Sequence, residues 1–148
     1  MFRFRLANRN SKRKISWWKW RIKMKIKNLV AVAAFAFFGG IFRYLFSFNL
    51  GEWGILIANL VGCFLLSFLT YYVIERDLLA GWLNLGLGTG LIGAFTTFSS
   101  FITSVLKLSE SNFWVGSGYF LVSLLGGFFA AIIGFILAQL LVRMEEDK

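Results

Sequence analysis

The chain has 148 residues, 58% of them hydrophobic, and its mean hydropathy is +0.71. These values exceed those of a soluble domain, and the apolar residues form runs long enough to cross a bilayer. The chain contains no His, no Pro and one Cys, which excludes a disulfide framework, a His/Cys metal site and His-based catalysis.

The net charge of +9 is concentrated in an N-terminal tail. Residues 1–27 hold 11 of the 16 Lys and Arg residues, while the rest of the chain carries 5 basic and 7 acidic residues, a net charge of −2. Trp17, Trp18 and Trp20 alternate with cations in this tail, as is typical of the lipid headgroup region. We therefore expect a topogenic segment and no nucleic-acid binding. Alternatively, translation starts at Met24, which leaves only a short lead.

The remaining sequence predicts an all-α membrane protein with four transmembrane helices in one domain, residues 28–142, and a polar end, residues 143–148. Each apolar segment is long enough to span the roughly 30 Å hydrocarbon core. Four crossings place both termini on one side of the membrane. The predicted spans cover approximately residues 28–48, 54–74, 80–106 and 113–142.

The first two predicted spans each contain a notable polar residue. Arg43 lies near the end of the first span, where it either extends to the interface or lines an anion vestibule. Asn59 lies inside the second span, and an amide in hydrocarbon needs a hydrogen-bonding partner. We therefore expect Asn59 to face a helix interface or a pore, and Gly62 nearby permits close helix approach.

The third predicted span contains residues that weaken a helix. Residues 90–100 include two Gly, two Thr and two Ser residues, which favour other backbone conformations. In lipid, non-helical backbone persists only where protein or a water-filled path surrounds it. We therefore predict a helix broken mid-membrane, with exposed carbonyls and hydroxyls. Phe95, Phe98 and Phe101 repeat every three residues beside these groups.

The fourth predicted span carries small and polar residues at helical spacing. Gly116, Gly127 and Gly134 contribute to a face suited to tight helix packing. Tyr119 and Ser123 are four residues apart, so they share one side of the helix.

Three motifs together resemble one protein family. The segments GTGLIGAFTTFSSF (88–101), ANLVGCFLLSF (58–68) and GGIFRY (39–44) are similar to the signature segments of the Fluc/CrcB fluoride channels. The resemblance implies a small four-helix protein that forms an antiparallel, dual-topology-type dimer with two fluoride pathways. The chain departs from the family pattern at Phe35-Ala36, where a Gly-Gly pair is usual, and at the smaller changes Ala94, Ser100 and Ser67.

The resemblance also implies roles for individual residues. In the fluoride pathway, the resemblance implies that Phe98 and Phe101 are the paired pore phenylalanines and that Asn59 is the pore amide. It implies that Ser99 and Thr97 are hydroxyl donors near this amide. Tyr119 and Ser123 would be pore groups of the fourth helix, and Arg43 would be the cation of the vestibule. The backbone carbonyls of Gly93 and Thr96, with those of the second subunit, would hold a structural Na⁺ that is not transported.

The chemistry of these side chains suits a fluoride channel that exports cytoplasmic fluoride passively. Fluoride binds water tightly, so a pore must offer amide, hydroxyl and ring-edge donors in place of hydration. No carboxylate lies inside a predicted span, so nothing obvious relays protons or couples transport to a gradient.

Two alternatives belong to other classes. A small four-helix multidrug-type transporter would need an acidic residue inside the membrane. A non-transporting membrane scaffold would leave Asn59 and the weakened third span without a purpose. An enzyme is not expected, because the spans contain no acid–base or nucleophile–base pair.

The basic N-terminal tail affects how the chain is oriented in the membrane. If it is present, the excess of cations predicts a cytoplasmic N-terminus in the bacterial plasma membrane. A fixed orientation would then require an oppositely oriented paralogue as the partner. If Met24 is the start, the bias is weak, and an antiparallel homodimer of this chain is expected.

Overall fold

The computed structural model describes residues 26–74 and 78–146 of the chain, and their regular structure is entirely helical. The predicted basic tail and the alternative start at Met24 lie outside these residues. The elements in chain order are α1 (Ile26–Phe68), a π-helical segment (Leu69–Ile74), α2 (Gly81–Leu85), a second π-helical segment (Gly86–Ile92), α3 (Gly93–Phe95), α4 (Phe98–Ser111) and α5 (Phe113–Glu146).

Helix α1 is interrupted at Gly51, whose φ of 56° and ψ of −132° are not helical. This backbone conformation is essentially restricted to glycine. A Cβ atom on Gly54 would collide with the carbonyl oxygen of Phe46, eight residues earlier. The two residues could not approach along a straight helix, because eight residues span about 12 Å. The chain therefore reverses at Gly51, and α1 consists of a first arm, residues 26–50, and a second arm, residues 52–68.

Three helical segments in the described part of the chain are long and apolar enough to cross a membrane: Ile26–Val73, Gly81–Ser111 and Phe113–Glu145. Many of their large apolar side chains point outward, Phe48 and Trp114 among them. Such a surface is unsuited to water and suited to lipid. These observations agree with the prediction of an all-helical membrane protein.

The helices approach one another closely through glycines. In the first arm, Gly39 lies directly against the carbonyl of Leu91. In the second arm, the backbone carbonyl of Phe64 lies directly against Gly134 of α5. Lipid provides no hydrophobic drive for helix association, so close backbone packing of this kind is what holds such helices together.

Phe35, which replaces a glycine usual in the resembled family, packs into space left by two other glycines. A Cβ atom on Gly86 would lie 2.7 Å from Cδ2 of the Phe35 ring. A Cβ atom on Gly90 would lie 2.9 Å from Cβ of Phe35 and 2.7 Å from the Val32 carbonyl oxygen. The larger side chain on the first arm is therefore accommodated by the bare backbone of the second π-helical segment.

Candidate functional site

The backbone is extended between α3 and α4. Thr96 has φ −80° and ψ 152°, and Thr97 has φ −152° and ψ 121°. Both the amide and the hydroxyl of Thr96 donate to the carbonyl of Ile92, each at 3.0 Å. The last turn of α3 is thereby closed before the chain changes direction.

Asn59 from the second arm pairs with the extended backbone of Thr97. Its Nδ2 donates to the Thr97 carbonyl at 3.2 Å, and its Oδ1 accepts from the Thr97 amide at 2.9 Å. One side chain thus satisfies both backbone groups of a non-helical residue, which would be costly to leave unpaired. The second hydrogen of the Asn59 amide is still available to a ligand.

The hydroxyl of Thr97 caps α4. It accepts a hydrogen bond from the Ser100 amide at 3.3 Å and donates its own proton to Oγ of Ser100 at 3.2 Å, and its oxygen lies 3.3 Å from Oγ of Ser99. Threonine is a favoured N-cap residue, because its side-chain oxygen satisfies an amide that has no partner in the helix. The predicted hydroxyl donors Thr97 and Ser99 therefore lie together at the start of α4.

These bonds also release two backbone carbonyls. In a continuous helix the amide of residue 97 would donate to Gly93, and the amide of residue 100 would donate to Thr96. Here the two amides donate to Asn59 and to the Thr97 hydroxyl instead. The carbonyls of Gly93 and Thr96, the predicted Na⁺ ligands, therefore lack their usual helical donors. Hard cations prefer such oxygen ligands, so the donor set fits a small cation.

The two predicted pore phenylalanines have different environments. Their ring centroids lie 6.0 Å apart with planes tilted by 47°. Phe101 is 9% exposed and stacks against Tyr119 at 6.2 Å, whereas Phe98 is 76% exposed. Phe98 therefore presents its ring to the outside of the subunit, and Phe101 belongs to its core.

Tyr119 and Ser123 lie on one side of α5, and both hydroxyls have backbone partners. Tyr119 is 4% exposed, and its hydroxyl donates to the Glu52 carbonyl at 2.8 Å. The hydroxyl of Ser123 donates to the Tyr119 carbonyl at 2.7 Å. Both oxygens can still accept a hydrogen bond, but each proton is already engaged in the subunit.

A polar pocket of about 440 Å³ opens beside the start of α4. Its lining contains five hydroxyl side chains, one acid and one base, and the complete set is Ser47, Gly51, Glu52, Ile55, Ser99, Ser100, Thr103, Ser104 and Lys107. We call it the hydroxyl pocket. Of the predicted site residues, only Ser99 lines it. The spacing of Ser100, Thr103 or Ser104, and Lys107 along one helix face is the signal that could have identified it.

Glu52 and Lys107 form an ion pair at this pocket, with Oε1 of Glu52 2.6 Å from Nζ of Lys107. Glu52 lies in the turn, outside the predicted spans. Its hydrogen bond with Lys107 lowers the pKa of the Glu52 carboxyl, which is therefore ionised at neutral pH.

Arg43 is not among the residues that line the hydroxyl pocket. It is half-buried on the first arm and has no hydrogen bond or ion pair with another described residue. Ser47, which does line the hydroxyl pocket, lies one helical turn further along the same face.

Comparison with known proteins gives a consistent result. A model of the family described as "CrcB-like protein, Camphor Resistance (CrcB)" matches residues 30–135. A Ligilactobacillus salivarius protein named "Fluoride-specific ion channel FluC 2" is 49% identical over 125 residues, covering 84% of this chain and 95% of its own length. Proteins named "Fluoride-specific ion channel FluC 1" from Latilactobacillus sakei and Lactobacillus johnsonii are 39% and 40% identical, each covering 84% of this chain and 97% of their own length.

The family match spans most of the described residues, including Asn59, the extended pair Thr96 and Thr97, and Tyr119. The relatives span nearly their full length on this chain, so the similarity is not confined to one motif. The chain therefore belongs to the CrcB-like family of fluoride channels, as its motifs predict.

Proposed function

We propose that this protein is a fluoride-specific ion channel that lets cytoplasmic fluoride leave the cell passively. The observation that carries the proposal is the pairing of Asn59 with the extended backbone of Thr97, beside Phe98 and Phe101. It lies within the matched part of the chain, and the relatives are named for this activity. The protein is a channel and not an enzyme.

Fluoride gives up hydration in the pore, so the protein must supply hydrogen-bond donors in its place. The free hydrogen of the Asn59 amide and the hydroxyl of Ser99 are suited to this, and the Thr97 hydroxyl would join them by turning away from Oγ of Ser100. The positive ring edges of Phe98 and Phe101 can face an anion without binding it too tightly. Tyr119 and Ser123 on α5 would donate to fluoride only after their hydroxyls turn away from the Glu52 and Tyr119 carbonyls that they now bind, and Arg43 would supply positive charge to the vestibule.

The alternatives are not supported. A multidrug-type transporter needs an acidic residue inside the membrane, and no predicted span contains one. A scaffold has no use for a hydrogen-bonded extended segment next to an exposed phenylalanine. The family supports a channel.

Four membrane crossings are the arrangement we propose. The segment Ile26–Val73 has 48 residues, which would extend about 72 Å as one straight helix, more than twice the hydrocarbon core. Reversal at Gly51 divides it into two crossings. The extended residues Thr96 and Thr97 would then interrupt the third crossing, and α5 would form the fourth.

A second subunit would cover the outer side of this interruption. Phe98, Ser99 and Gly93 are all exposed, and hydroxyls and open carbonyls are poorly suited to lipid. We propose an antiparallel dimer, in which each subunit contributes to two fluoride pathways. Its partner is this same chain or, if the basic tail fixes a cytoplasmic N-terminus, an oppositely oriented paralogue.

The carbonyls of Gly93 and Thr96, with their counterparts in the second subunit, would hold a Na⁺ at the dimer axis. The loss of their helical donors supports this assignment. Oxygen ligands alone suit a hard, non-redox cation. The ion would have a structural role and would not be transported.

Liposomes containing the purified protein test the function. They should release fluoride to a fluoride electrode and retain chloride. Equal release of both anions would contradict the proposal. If this chain alone releases neither anion, the measurement is repeated after co-expression with a paralogue. Absence of fluoride release both from the chain alone and from the co-expressed pair would also contradict the proposal. For orientation, a cysteine is introduced into the tail of a chain in which Cys63 is replaced. Labelling of this cysteine from one side of the membrane would support a fixed orientation, and labelling from both sides would exclude it.

A further inference from the structure

The hydroxyl pocket extends from the predicted fluoride pathway toward the end of α4. Among the α4 residues that line the pocket, Ser99 is the first along the helix and Lys107 is the last. Eight helical residues separate them, a rise of about 12 Å. Hydroxyl side chains from α4 and the first arm line the space between. Ser99, a residue of the predicted fluoride pathway, and a single cationic side chain therefore line the same polar pocket.

The charges of this pocket are already paired within the subunit. Glu52 and Lys107 are its only acid and base, and their charged atoms are 2.6 Å apart. An anion that reaches Lys107 must therefore replace the Glu52 carboxylate or share the ammonium with it. Lys107 has three donor hydrogens, so both outcomes are chemically available.

Glu52 is the better anchored of the two residues. Its carbonyl accepts the Tyr119 hydroxyl, and it follows the Gly51 turn directly. Its side chain is 28% exposed, whereas that of Lys107 is 70% exposed. The carboxylate is thus held in place by the fold, while the lysine has a long flexible stem.

We propose that Glu52 is a tethered anion that competes with fluoride for Lys107 at the mouth of the hydroxyl pocket. This inference rests on the proposed fluoride channel and adds a residue that limits anion capture. Because exposed ion pairs are weak, Glu52 reduces the occupancy of the site without closing it.

Glu52→Gln is the principal test, because it keeps the size of the side chain and removes its charge. Initial fluoride efflux from liposomes is measured against fluoride concentration. We expect Glu52→Gln to lower the half-saturating concentration about two- to fivefold, the range typical of an exposed ion pair. Lys107→Gln should raise it, and the double variant should match Lys107→Gln, because Glu52 acts only through Lys107.

Glu110→Gln is the matched control. Glu110 is an exposed acid one turn beyond Lys107 on α4 and does not line the pocket. A general change of surface potential would affect both variants, whereas local competition affects only Glu52→Gln. The proposal is overturned if Glu52→Gln behaves as wild type, if Glu110→Gln has the same effect, or if the effect of Glu52→Gln persists without Lys107.

A second measurement does not depend on conduction. The Nζ resonance of Lys107 is followed by NMR in the full chain while sodium fluoride is added, with sodium chloride as the reference. The fluoride concentration at the midpoint of this titration should be lower in Glu52→Gln than in the wild type. In Glu52→Asp it should also be lower than in the wild type, but by a smaller amount. An unchanged midpoint in both variants would overturn the inference, while absence of fluoride efflux in the wild type would count only against the proposed function.

Discussion

The Asn59 side chain forms two hydrogen bonds with the backbone of Thr97, a residue 38 positions away, and thereby replaces the helical partners that Thr97 lacks. The same bonds divert the Thr97 amide from the Gly93 carbonyl. The Asn59 side chain therefore stabilises the extended segment and leaves the nearby Gly93 carbonyl oxygen without its helical donor. Asn59 combines a structural role with the pore role proposed for it.

Replacing Asn59 by leucine tests this double role. Leucine has nearly the same size but leaves the amide and carbonyl of Thr97 unpaired, at a cost of about 1–3 kcal/mol for each group. We expect a lower unfolding temperature in detergent and loss of fluoride efflux. Asn49→Leu is the control, because Asn49 is exposed and donates only to the Leu45 carbonyl of its own helix. Comparable losses in both variants would contradict the role given to Asn59.

Substitutions of Phe98 and Phe101 should have different effects on subunit stability and on fluoride efflux. Phe101 is buried against Tyr119, so Phe101→Ala should destabilise the subunit by about 3–5 kcal/mol. Phe98 is largely exposed in the subunit, so Phe98→Ala should leave subunit unfolding within about 1 kcal/mol of wild type and still abolish efflux. Denaturant unfolding and fluoride efflux are measured on the same preparations. Normal efflux in Phe98→Ala would exclude its ring from the pathway.

Gly93→Ala should affect the dimer more than the subunit. A Cβ atom on Gly93 would meet only the Gly88 carbonyl oxygen, at an ordinary 3.7 Å, so the subunit tolerates it. If the Gly93 carbonyl faces its counterpart and Na⁺ at the dimer axis, the added methyl group should weaken dimerisation and its dependence on Na⁺. Subunit exchange is measured in sodium and in N-methylglucamine buffers.

The control for this experiment is Gly118→Ala on α5, where a Cβ atom would meet nothing within 4 Å. This variant should dimerise as the wild type does. Dimerisation that is insensitive to Na⁺ in the wild type would contradict the proposed cation site.

Gly51→Ala tests the reversal of α1. The backbone conformation at Gly51 is unfavourable for any residue with a Cβ atom, by about 1–3 kcal/mol. No atom lies within 4 Å of a Cβ built there, so a loss of stability would arise from backbone strain alone. Gly40→Ala, at a helical position that is equally free of contacts, should be neutral or stabilising by up to about 1 kcal/mol. Equal stability of the two variants would contradict a strained turn at Gly51.

Several features follow from local sequence patterns. The length and apolarity of the segments predict membrane helices, and the described residues are helical. The motifs predict the family, which the comparison confirms. The crowding of Gly, Ser and Thr over residues 90–100 indicates where a helix is weak, because each residue acts on its own backbone.

Other features depend on contacts between distant residues. Lys107 directly follows the third predicted span, yet it lies within α4 and pairs with Glu52, 55 positions away. Tyr119 reads as a pore group, yet its hydroxyl holds the Glu52 carbonyl across 67 positions. No spacing along one helix encodes such pairs, because they depend on how the helices are placed against one another.

The sequence by itself therefore determined the class, the membrane helices and the family of this protein, since length, apolarity and short motifs are local properties. Only the tertiary structure decided which backbone groups of Thr96 and Thr97 lose their helical hydrogen-bonding partners. It also decided that Glu52 forms an ion pair with Lys107. The physical reason is that hydrogen bonds and ion pairs depend on distances of a few ångströms, which are set only when glycine-rich surfaces bring the helices together.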